Sequence, residues 1–483
     1  MTSLETTPRH AEQRSRYLDG IYAPTDTESI QTLTVIAGAL PDDLEGVFAR
    51  NGANPRFDPP GRYHWFDGDG MIHTVQFGGG EATYRNRYVQ TNGFLKEADA
   101  GRALWSGIME RPDLTKYPEV FKDTANTDLV WFNGELLALW WLGGDAYRIG
   151  LPDLETRGIQ DFNGTLHTKM AAHPKVDQRT GEMLYIDFDP LPPYLTYGAI
   201  SAAGEVTRSE SVELTGPRLQ HDVAFTDDWM ILFDFSFTWD TDSMVSGRSQ
   251  LKFQREQPTR FGLAPRRGAS TMVRWFETDP CFMYHVVNAW QEGDDLIHLV
   301  GCRSIEPLAD DPDNESTYDA PTLGMLRLEP YLTQWTFNLR TGSLVHQQLV
   351  DVAAEFPRMD DRLLGQPSRY TYLQRFAPRS TLAFDAVVGH DLSTGNSTAH
   401  LWPEGWFGGE TVFCPRTGAT AENDGYLVTF VVEEATGATE VHVVDASRLE
   451  DETVCRLSVP VRVPAGYHAW WITAAELAGQ RPA

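Results

Sequence analysis

The chain has 483 residues and a formal net charge of −28, which argues against nucleic acid or an anionic membrane as an electrostatically attracted partner. Its four cysteines form no CxxC pair, a usage typical of a protein kept reduced in the cytoplasm. No segment reaches the roughly 18 uninterrupted apolar residues of a membrane-spanning helix. The composition therefore predicts a soluble, cytoplasmic protein.

The N-terminal residues 1–16 are polar and predict a flexible tail ahead of a single domain over residues 17–483. The first clear hairpin is predicted from Met71 to Thr91, where two alternating segments flank a Gly-rich turn. Residues 92–123 carry Ala, Leu, Lys and Glu with few β-branched residues. This composition predicts short helices and loops that lie outside the sheets.

Strands and turns alternate from Asp128 onward, beginning with a hairpin around Asn133-Gly134. Residues 238–270 interrupt this pattern with polar, basic and small residues, and we expect a long excursion without a clean strand there. Thr-Gly turns between alternating segments recur at Thr180-Gly181, Thr341-Gly342, Thr394-Gly395 and Thr436-Gly437. Repeated hairpins over more than 400 residues are typical of an all-β propeller. The pattern alone leaves open six or seven blades, or two packed sandwiches.

Four histidines lie in or beside apolar and aromatic segments: His173, His221, His285 and His468. They are separated by 48 to 183 residues, so only tertiary structure could bring them together. A buried imidazole needs a partner, and one shared metal ion would partner all four, because neutral imidazole binds iron, copper, zinc and nickel. Spacing alone leaves the alternative that each is a hydrogen-bonded core residue.

Ordered motifs surround these histidines: AHPKVD at His173, HDVAFTDD from His221, YHVVNAWQEGD at His285 and PAGYH ending at His468. Further motifs are RNGANPRF, YHWFDGDGMIH, ANTDLVWFNGELLALW, EFPRMDDR and FGGETVFCPR. Together they resemble the carotenoid cleavage oxygenase family, from about Leu40 to about Trp471.

The resemblance implies a seven-bladed β-propeller with a cap of helices and loops over the active-site face. The insertions at about 92–123 and 238–270 would contribute to this cap. It also implies that the four histidines bind Fe(2+), with Glu355 paired to His285 and Glu410 paired to His468.

Trp141 stands where the family commonly has a third glutamate. Indole is a donor only and cannot accept a hydrogen bond from an imidazole N–H, so the partner of His221 is left open. Asp145, a backbone carbonyl or a water would be the replacement. We hypothesise that iron binds more weakly here than in a relative with the full glutamate set. His167 is the one rival ligand among the other histidines.

The resemblance implies a dioxygenase that cleaves a conjugated C=C bond with O2 to give two carbonyl products. Phe94 and Trp140 occupy the positions at which stilbene-cleaving members clamp a phenol, and neither supplies that clamp. An apocarotenoid or similar apolar polyene is therefore the expected substrate, and stilbene or phenylpropanoid cleavage is the alternative. A weakly metallated or non-catalytic ligand-binding propeller and an iron-dependent isomerase are further alternatives. Transient contact with a membrane surface would serve substrate uptake.

Overall fold

This computed structural model describes residues 15–116, 119–240, 243, 251–268, 272–309 and 320–479 of the chain. Antiparallel strands dominate these residues, and their buried faces carry the alternating apolar side chains that predicted them. The helices are α1 (Asn92–Ala100) and the short α2 (Ala474–Leu477). Separate 3-10 turns lie at Arg16–Leu18, Gly20–Tyr22, Trp65–Asp67, Leu114–Lys116 and Asp361–Leu363. No helix in the described ranges is long and apolar enough to cross a membrane.

Both ends of the chain meet in one five-stranded sheet. Its strands are β1 (Ile30–Thr32), β3 (Gly46–Arg50), β4 (Met71–Gly78), β5 (Glu81–Tyr88) and β35 (Ala469–Thr473). The order is β1-β5-β4-β3-β35, and the C-terminal strand pairs antiparallel with β3 from Gly46 opposite Thr473 to Arg50 opposite Ala469. The last strand therefore completes a sheet that the first strands begin.

Four further sheets have four strands each. The first contains β6 (Asp128–Phe132), β7 (Glu135–Leu139), β8 (Tyr147–Ile149) and β9 (Thr156–Ile159). The second contains β10 (Lys175–Asp177), β11 (Glu182–Phe188), β12 (Tyr194–Ile200) and β13 (Val206–Glu213). The third contains β14 (Ala224–Phe225), β15 (Trp229–Asp234), β18 (Thr259–Pro265) and β19 (Arg274–Thr278). The fourth contains β20 (Phe282–Glu292), β21 (Leu296–Ser304), β24 (Tyr331–Asn338) and β25 (Ser343–Gln348).

A ten-stranded sheet combines two groups of four consecutive strands with β2 (Thr34–Gly38) and β30 (Trp406–Gly408). The first group is β26 (Ala354–Arg358), β27 (Tyr370–Phe376), β28 (Phe384–Asp391) and β29 (Asn396–Leu401). The second is β31 (Val412–Pro415), β32 (Gly425–Glu433), β33 (Thr439–Asp445) and β34 (Cys455–Val459). Two small two-stranded ribbons complete the described strands: β16 (Phe237–Trp239) with β17 (Leu251–Phe253), and β22 (Thr322–Leu323) with β23 (Leu326–Arg327).

The predicted Thr-Gly turns join strand pairs in the structure. Gly181, Gly342, Gly395 and Gly437 all adopt φ between 68° and 75°. This left-handed conformation is easy for glycine and costly for other residues, so these glycines fix where each hairpin reverses.

Two expectations about the excursions have different outcomes. Residues 92–123 contain α1, one 3-10 turn and loops, as their composition predicts. The expectation that residues 238–270 lack a strand is wrong, because β17 and β18 lie there and β18 pairs between β15 and β19. Phe261, Leu263 and Ala264 are fully buried in β18. The apolar run is short and is flanked by arginines in the sequence, so the composition of the segment did not predict a strand. Residues 241–242, 244–250 and 269–270 lie outside the described ranges, as do residues 1–14 of the predicted tail.

Candidate metal centre

The four predicted histidines converge at one point. His173 lies two residues before β10, His221 lies three residues before β14, His285 lies on β20 and His468 directly precedes β35. One ligand nitrogen from each lies within 4.8 Å of the others, and all four side chains are buried. The Nε2 atoms of His173 and His285 each lie 3.2 Å from Nε2 of His221. Four distant segments of the chain thus present their imidazoles to one small volume.

Two buried glutamates accept hydrogen bonds from the outer face of this cluster. His285 donates from Nδ1 to Glu355 Oε2 at 2.5 Å, and the same oxygen accepts from the Phe356 N–H at 2.6 Å. His468 donates from Nδ1 to Glu410 Oε1 at 3.1 Å, while the other oxygen accepts from the Ala469 N–H. Each glutamate accepts hydrogen bonds from one imidazole and from one backbone N–H. These two bonds fix the carboxylate and, through it, the orientation of the histidine ring.

Asp128 supplies a third carboxylate, which the sequence motifs did not reveal. Its Oδ2 lies 2.9 Å from His173 Nδ1 and 3.1 Å from the His173 backbone N–H. Asp128 begins β6 and pairs with Leu139, two residues before Trp141 on the partner strand of the same hairpin. The sequence places Asp128 at the start of a buried apolar strand. A polar residue at that position is also expected at an ordinary strand boundary, so the pattern alone does not indicate a role at the cluster.

His221 has no carboxylate hydrogen-bonded to its ring among the described residues. Its ring makes an edge-to-face contact with Tyr284, with centroids 5.2 Å apart. Trp141 lines the same cavity as His221, and its buried indole Nε1 has no hydrogen-bond partner. Asp145, considered as a substitute acceptor, instead accepts from Lys169 Nζ. His221 is therefore positioned by packing rather than by a hydrogen-bonded acid.

Local backbone distortions aim two of the histidines and one glutamate. His173 has φ 65° and Phe356, next to Glu355, has φ 49°, a left-handed conformation that is costly for such residues. The pairing of β20 with β21 shifts between Met283 and Val286 and again before Asn288, so His285 lies in an irregular segment. A bulge of this kind redirects a side chain out of the regular alternation.

Burial keeps the four imidazoles neutral. It lowers the pKa of His285 and of His468 to about 3, and it lowers the pKa of His173 and His221 well below 6.5. Because Nδ1–H of His173, His285 and His468 is directed at a carboxylate, Nε2 of each is a bare acceptor. Converging lone pairs repel one another unless a cation lies between them. This donor set fits a metal ion that prefers neutral nitrogen ligands.

An apolar cavity opens on one side of the cluster. Its lining includes His221, His285 and His468, and no lysine, arginine or aspartate. The remaining lining residues are mainly apolar and aromatic: Trp65, Phe66, Trp141, Tyr284, Leu323, Leu326, Leu328, Phe356, Phe376, Leu382 and Tyr467. Such a surface suits a long apolar molecule held against the cluster.

A second cavity is more polar and shares His285 and His468 with the first. Lys175 pairs with Asp222 at 2.8 Å and Arg358 pairs with Asp361 at 3.2 Å in its wall. Asp128 and Glu410 also line it. The histidine cluster thus separates an apolar space from a charged one.

Three other predicted residues lie away from the cluster. His167 is exposed and does not belong to it. Trp140 lines a different cavity together with Trp105 and Phe121, and Phe94 packs with Met71 and Tyr88. The two positions compared with a phenol clamp are therefore not in the wall of the apolar cavity, whereas Trp141 is.

Comparison with known proteins agrees with this geometry. The family profile described as "Retinal pigment epithelial membrane protein" matches residues 22–473. Carotenoid 9,10(9',10')-cleavage dioxygenase 1 of Pisum sativum is 34% identical over 96% of this chain and 91% of its own length. A carotenoid cleavage oxygenase of Mycobacterium tuberculosis is 30% identical over 96% of this chain and 99% of its own length.

Solved structures with this fold include a lignostilbene dioxygenase of Pseudomonas brassicacearum, with TM-score 0.85, 27% identity, and coverage of 95% of this chain and 99% of that one. A Synechocystis apocarotenoid oxygenase mutant superposes with TM-score 0.82, 26% identity, and coverage of 94% of this chain and 98% of that one. The same oxygenase has been solved with cobalt substituted, at TM-score 0.82 and 25% identity, covering 94% of this chain and 98% of that one.

Proposed function

The chain belongs to the carotenoid cleavage oxygenase family and is a dioxygenase of that type; we propose that it uses Fe(2+), held by His173, His221, His285 and His468, to cleave an apocarotenoid or similar apolar polyene. The convergence of four neutral, buried imidazoles beside an apolar cavity is the observation that carries the proposal. When bound, ferrous iron would supply the activation of O2, which a protein side chain cannot provide.

The residues around the cluster have separable roles in this proposal. Glu355 and Glu410 hold the rings of His285 and His468 so that Nε2 points inward. A ligand set without a carboxylate leaves the full positive charge on the bound ion. The apolar cavity excludes bulk water and orients the conjugated chain, so the bond that lies beside the cluster is the one that is cleaved.

The cavity lining favours a polyene as the substrate. A polyene offers apolar surface along its length and few hydrogen-bonding groups. Two polar groups of the wall already have protein partners, since Glu355 Oε2 accepts from His285 and Tyr467 Oη donates to Trp65 O at 2.7 Å. The similarity to the Pisum sativum dioxygenase, whose name gives carotenoids as its substrate, supports the same class.

Stilbene cleavage is the second candidate, because the fold closely matches that of a lignostilbene dioxygenase. Tyr284 Oη is a buried hydroxyl without a partner in the cavity wall, and it is the group that would receive a phenol. No lysine lies beside it to complete a clamp, so the polyene remains the first choice.

The arrangement of the strands supports seven propeller blades. Five sheets and the two groups of four within the ten-stranded sheet give seven strand groups in all. In this proposal the described loops of residues 92–123 and the described residues of 238–258 contribute to the cap over the apolar cavity, whereas β18 belongs to a blade. Trp239 stacks on Trp141 with ring centroids 6.2 Å apart, which joins the second insertion to the cavity wall.

Turnover under ¹⁸O₂ tests the reaction directly. Protein loaded anaerobically with Fe(2+) would be mixed with an apocarotenal or with a resveratrol-like stilbene, and products would be identified by mass spectrometry. We expect two carbonyl products from the apocarotenal, with one labelled oxygen in each, and little conversion of the stilbene.

His221→Ala should abolish both iron retention and turnover. His442→Ala is the matched control, because His442 is equally buried but hydrogen-bonds Glu440 at 2.8 Å outside the cluster. Faster cleavage of the stilbene would reverse the order of the two candidates. An isomerised, uncleaved product, or activity that survives His221→Ala, would contradict the proposed reaction.

A further inference from the structure

Arg50, the last residue of β3, carries a buried charge without a protein partner. Arg50 is only 2% exposed, and its Nε forms no hydrogen bond. Within the described ranges no carboxylate forms an ion pair with this guanidinium, and no carbonyl or hydroxyl accepts from it. Five N–H donors are thus held inside the fold with nothing assigned to them.

The other buried arginines in the described ranges are paired with carboxylates, which makes Arg50 an exception. Arg218 donates to Asp234 at 2.7 Å, and Arg266 donates to Asp177 at 2.9 Å and to Glu182 at 2.7 Å. The nearest compensation for Arg50 is the face of Phe430, whose centroid lies 5.3 Å from Cζ. A cation over a ring face recovers only a small part of the hydration that a buried guanidinium loses.

Arg50 lines a small cavity that shares Trp65 and Leu382 with the apolar cavity of the candidate metal centre. Among the described residues Arg50 is the only charged one in that lining, and the others are apolar or glycine: Ile21, Trp65, Leu382, Ala383, Phe384, Phe407, Gly408, Gly409, Phe430, Val432, Ala465 and Gly466. Burial lowers the pKa of Arg50 to about 10, so the side chain remains charged at neutral pH. A single positive charge therefore faces an otherwise apolar space.

We propose that this cavity is a binding site for one small monovalent anion of the halide type, with Arg50 as its counter-ion. One guanidinium balances one negative charge, and no second cation lines the cavity to hold a divalent anion such as sulfate. The guanidinium offers several N–H donors, and a spherical halide can accept hydrogen bonds from them in any direction.

The location gives the anion a structural consequence. The cavity wall includes Gly409, which precedes Glu410, and Gly466, which lies two residues before His468. A Cβ at Gly466 would lie 2.6 Å from Arg50 Cζ, so the chain leading to His468 rests directly on the guanidinium. Neutralising this charge would stabilise the segments that carry His468 and the glutamate that holds it.

Bromide is the probe that tests the site, because it replaces chloride and has a measurable anomalous signal. Crystals of the full chain soaked in sodium bromide should show an anomalous peak within hydrogen-bonding distance of the Arg50 guanidinium. In solution, bromide or chloride should raise the melting temperature saturably, by about 2 °C or more, whereas sodium sulfate at equal ionic strength should produce no saturable increase.

Arg50→Met should remove the saturable halide effect, and Arg266→Met should retain it because Arg266 already has carboxylate partners. Water alone beside Arg50 in bromide-soaked wild-type crystals, or bromide peaks only at the surface, would overturn the proposal. An equal halide effect in wild type and Arg50→Met would overturn it too. If Arg50→Met does not fold, the wild-type anomalous map decides the question by itself.

Discussion

At the scale of single residues, the candidate metal centre has three carboxylates although one of the expected glutamates is a tryptophan. Asp128 and Trp141 lie at the same end of the hairpin formed by β6 and β7. Asp128 on β6 lies 2.9 Å from His173 Nδ1. Trp141, which follows β7, supplies no acceptor, and the ring of His221 contacts Tyr284 instead. Three of the four histidines thus have a carboxylate partner, and His221 has none among the described residues.

Asp128→Ala should weaken metal binding by about 10- to 100-fold, because His173 loses the acceptor that fixes its ring and its backbone N–H. Isothermal titration of metal-free protein with Co(2+) would measure the change. Asp145→Ala is the control, since Asp145 accepts from Lys169 and does not contact the cluster. Equal affinities for wild type and Asp128→Ala would show that this carboxylate is not required.

Trp141→Glu should strengthen metal binding by about tenfold, because it supplies the acceptor that the His221 ring lacks. The same titration measures it, with Trp140→Glu as the control that places a carboxylate in a different cavity. The hypothesis of weakened iron binding is wrong if Trp141→Glu binds no more tightly than wild type.

The stability of the metal-free protein should fall as the pH is lowered through 6.5. The unfolded chain binds a proton at His221 near that pH, whereas burial keeps the pKa of His221 in the folded chain well below it. In His221→Phe the dependence of unfolding free energy on pH between 6 and 5 should therefore be shallower by about 1.4 kcal/mol per pH unit. Denaturant titrations at several pH values measure this slope, and identical slopes would contradict the assignment of His221 as neutral.

At the scale of elements, the irregular pairing of β20 with β21 positions His285. Gly301 on β21 lies opposite Val286, next to the ligand. A Cβ at Gly301 would collide with Met283 Sδ and lie 3.1 Å from His285 O. The absence of a side chain at Gly301 thus leaves room for the bulge.

Gly301→Ala should lower the free energy of unfolding by about 1–3 kcal/mol and reduce metal affinity at the same time, because the bulge must shift. Gly78→Ala is the matched control: Gly78 also lies on a strand, and no atom stands within 4 Å of a Cβ built there. A stable Gly301→Ala variant with wild-type metal affinity would mean that the bulge does not determine the position of His285.

The sequence predicted some of these elements well and others poorly, for physical reasons. The family resemblance predicted the four histidines, Glu355 and Glu410, which the structure brings close together, and the Thr-Gly turns followed from backbone preference alone. Asp128 was missed because its role depends on a tertiary contact with His173, and an acid at a strand boundary has many ordinary explanations. β18 was missed because its apolar run is short and its pairing partners come from both sides.

At the scale of the whole molecule, the two ends of the chain are joined in one sheet. The pairing of β35 with β3 spans more than 400 residues of sequence, so no local pattern could have predicted it. His468 is the residue directly before β35, which begins at Ala469. Global architecture and the candidate metal centre therefore depend on the same few residues.

A chain that ends after Gly479 should keep the fold and the metal affinity of the full chain, because it retains β35. A chain that ends after Ala465 should lose both, since it lacks His468 and leaves β3 without its neighbour. Circular dichroism melting and metal titration of the two truncated chains would measure this. Cooperative melting of the shorter chain at the wild-type temperature would contradict the role assigned to β35.

The spacing of the four histidines also has a consequence for refolding. They come from segments separated by 48 to 183 residues, so no fragment that lacks one of these segments can contain all four. An ion bound by this cluster would therefore stabilise the complete fold rather than any single sheet.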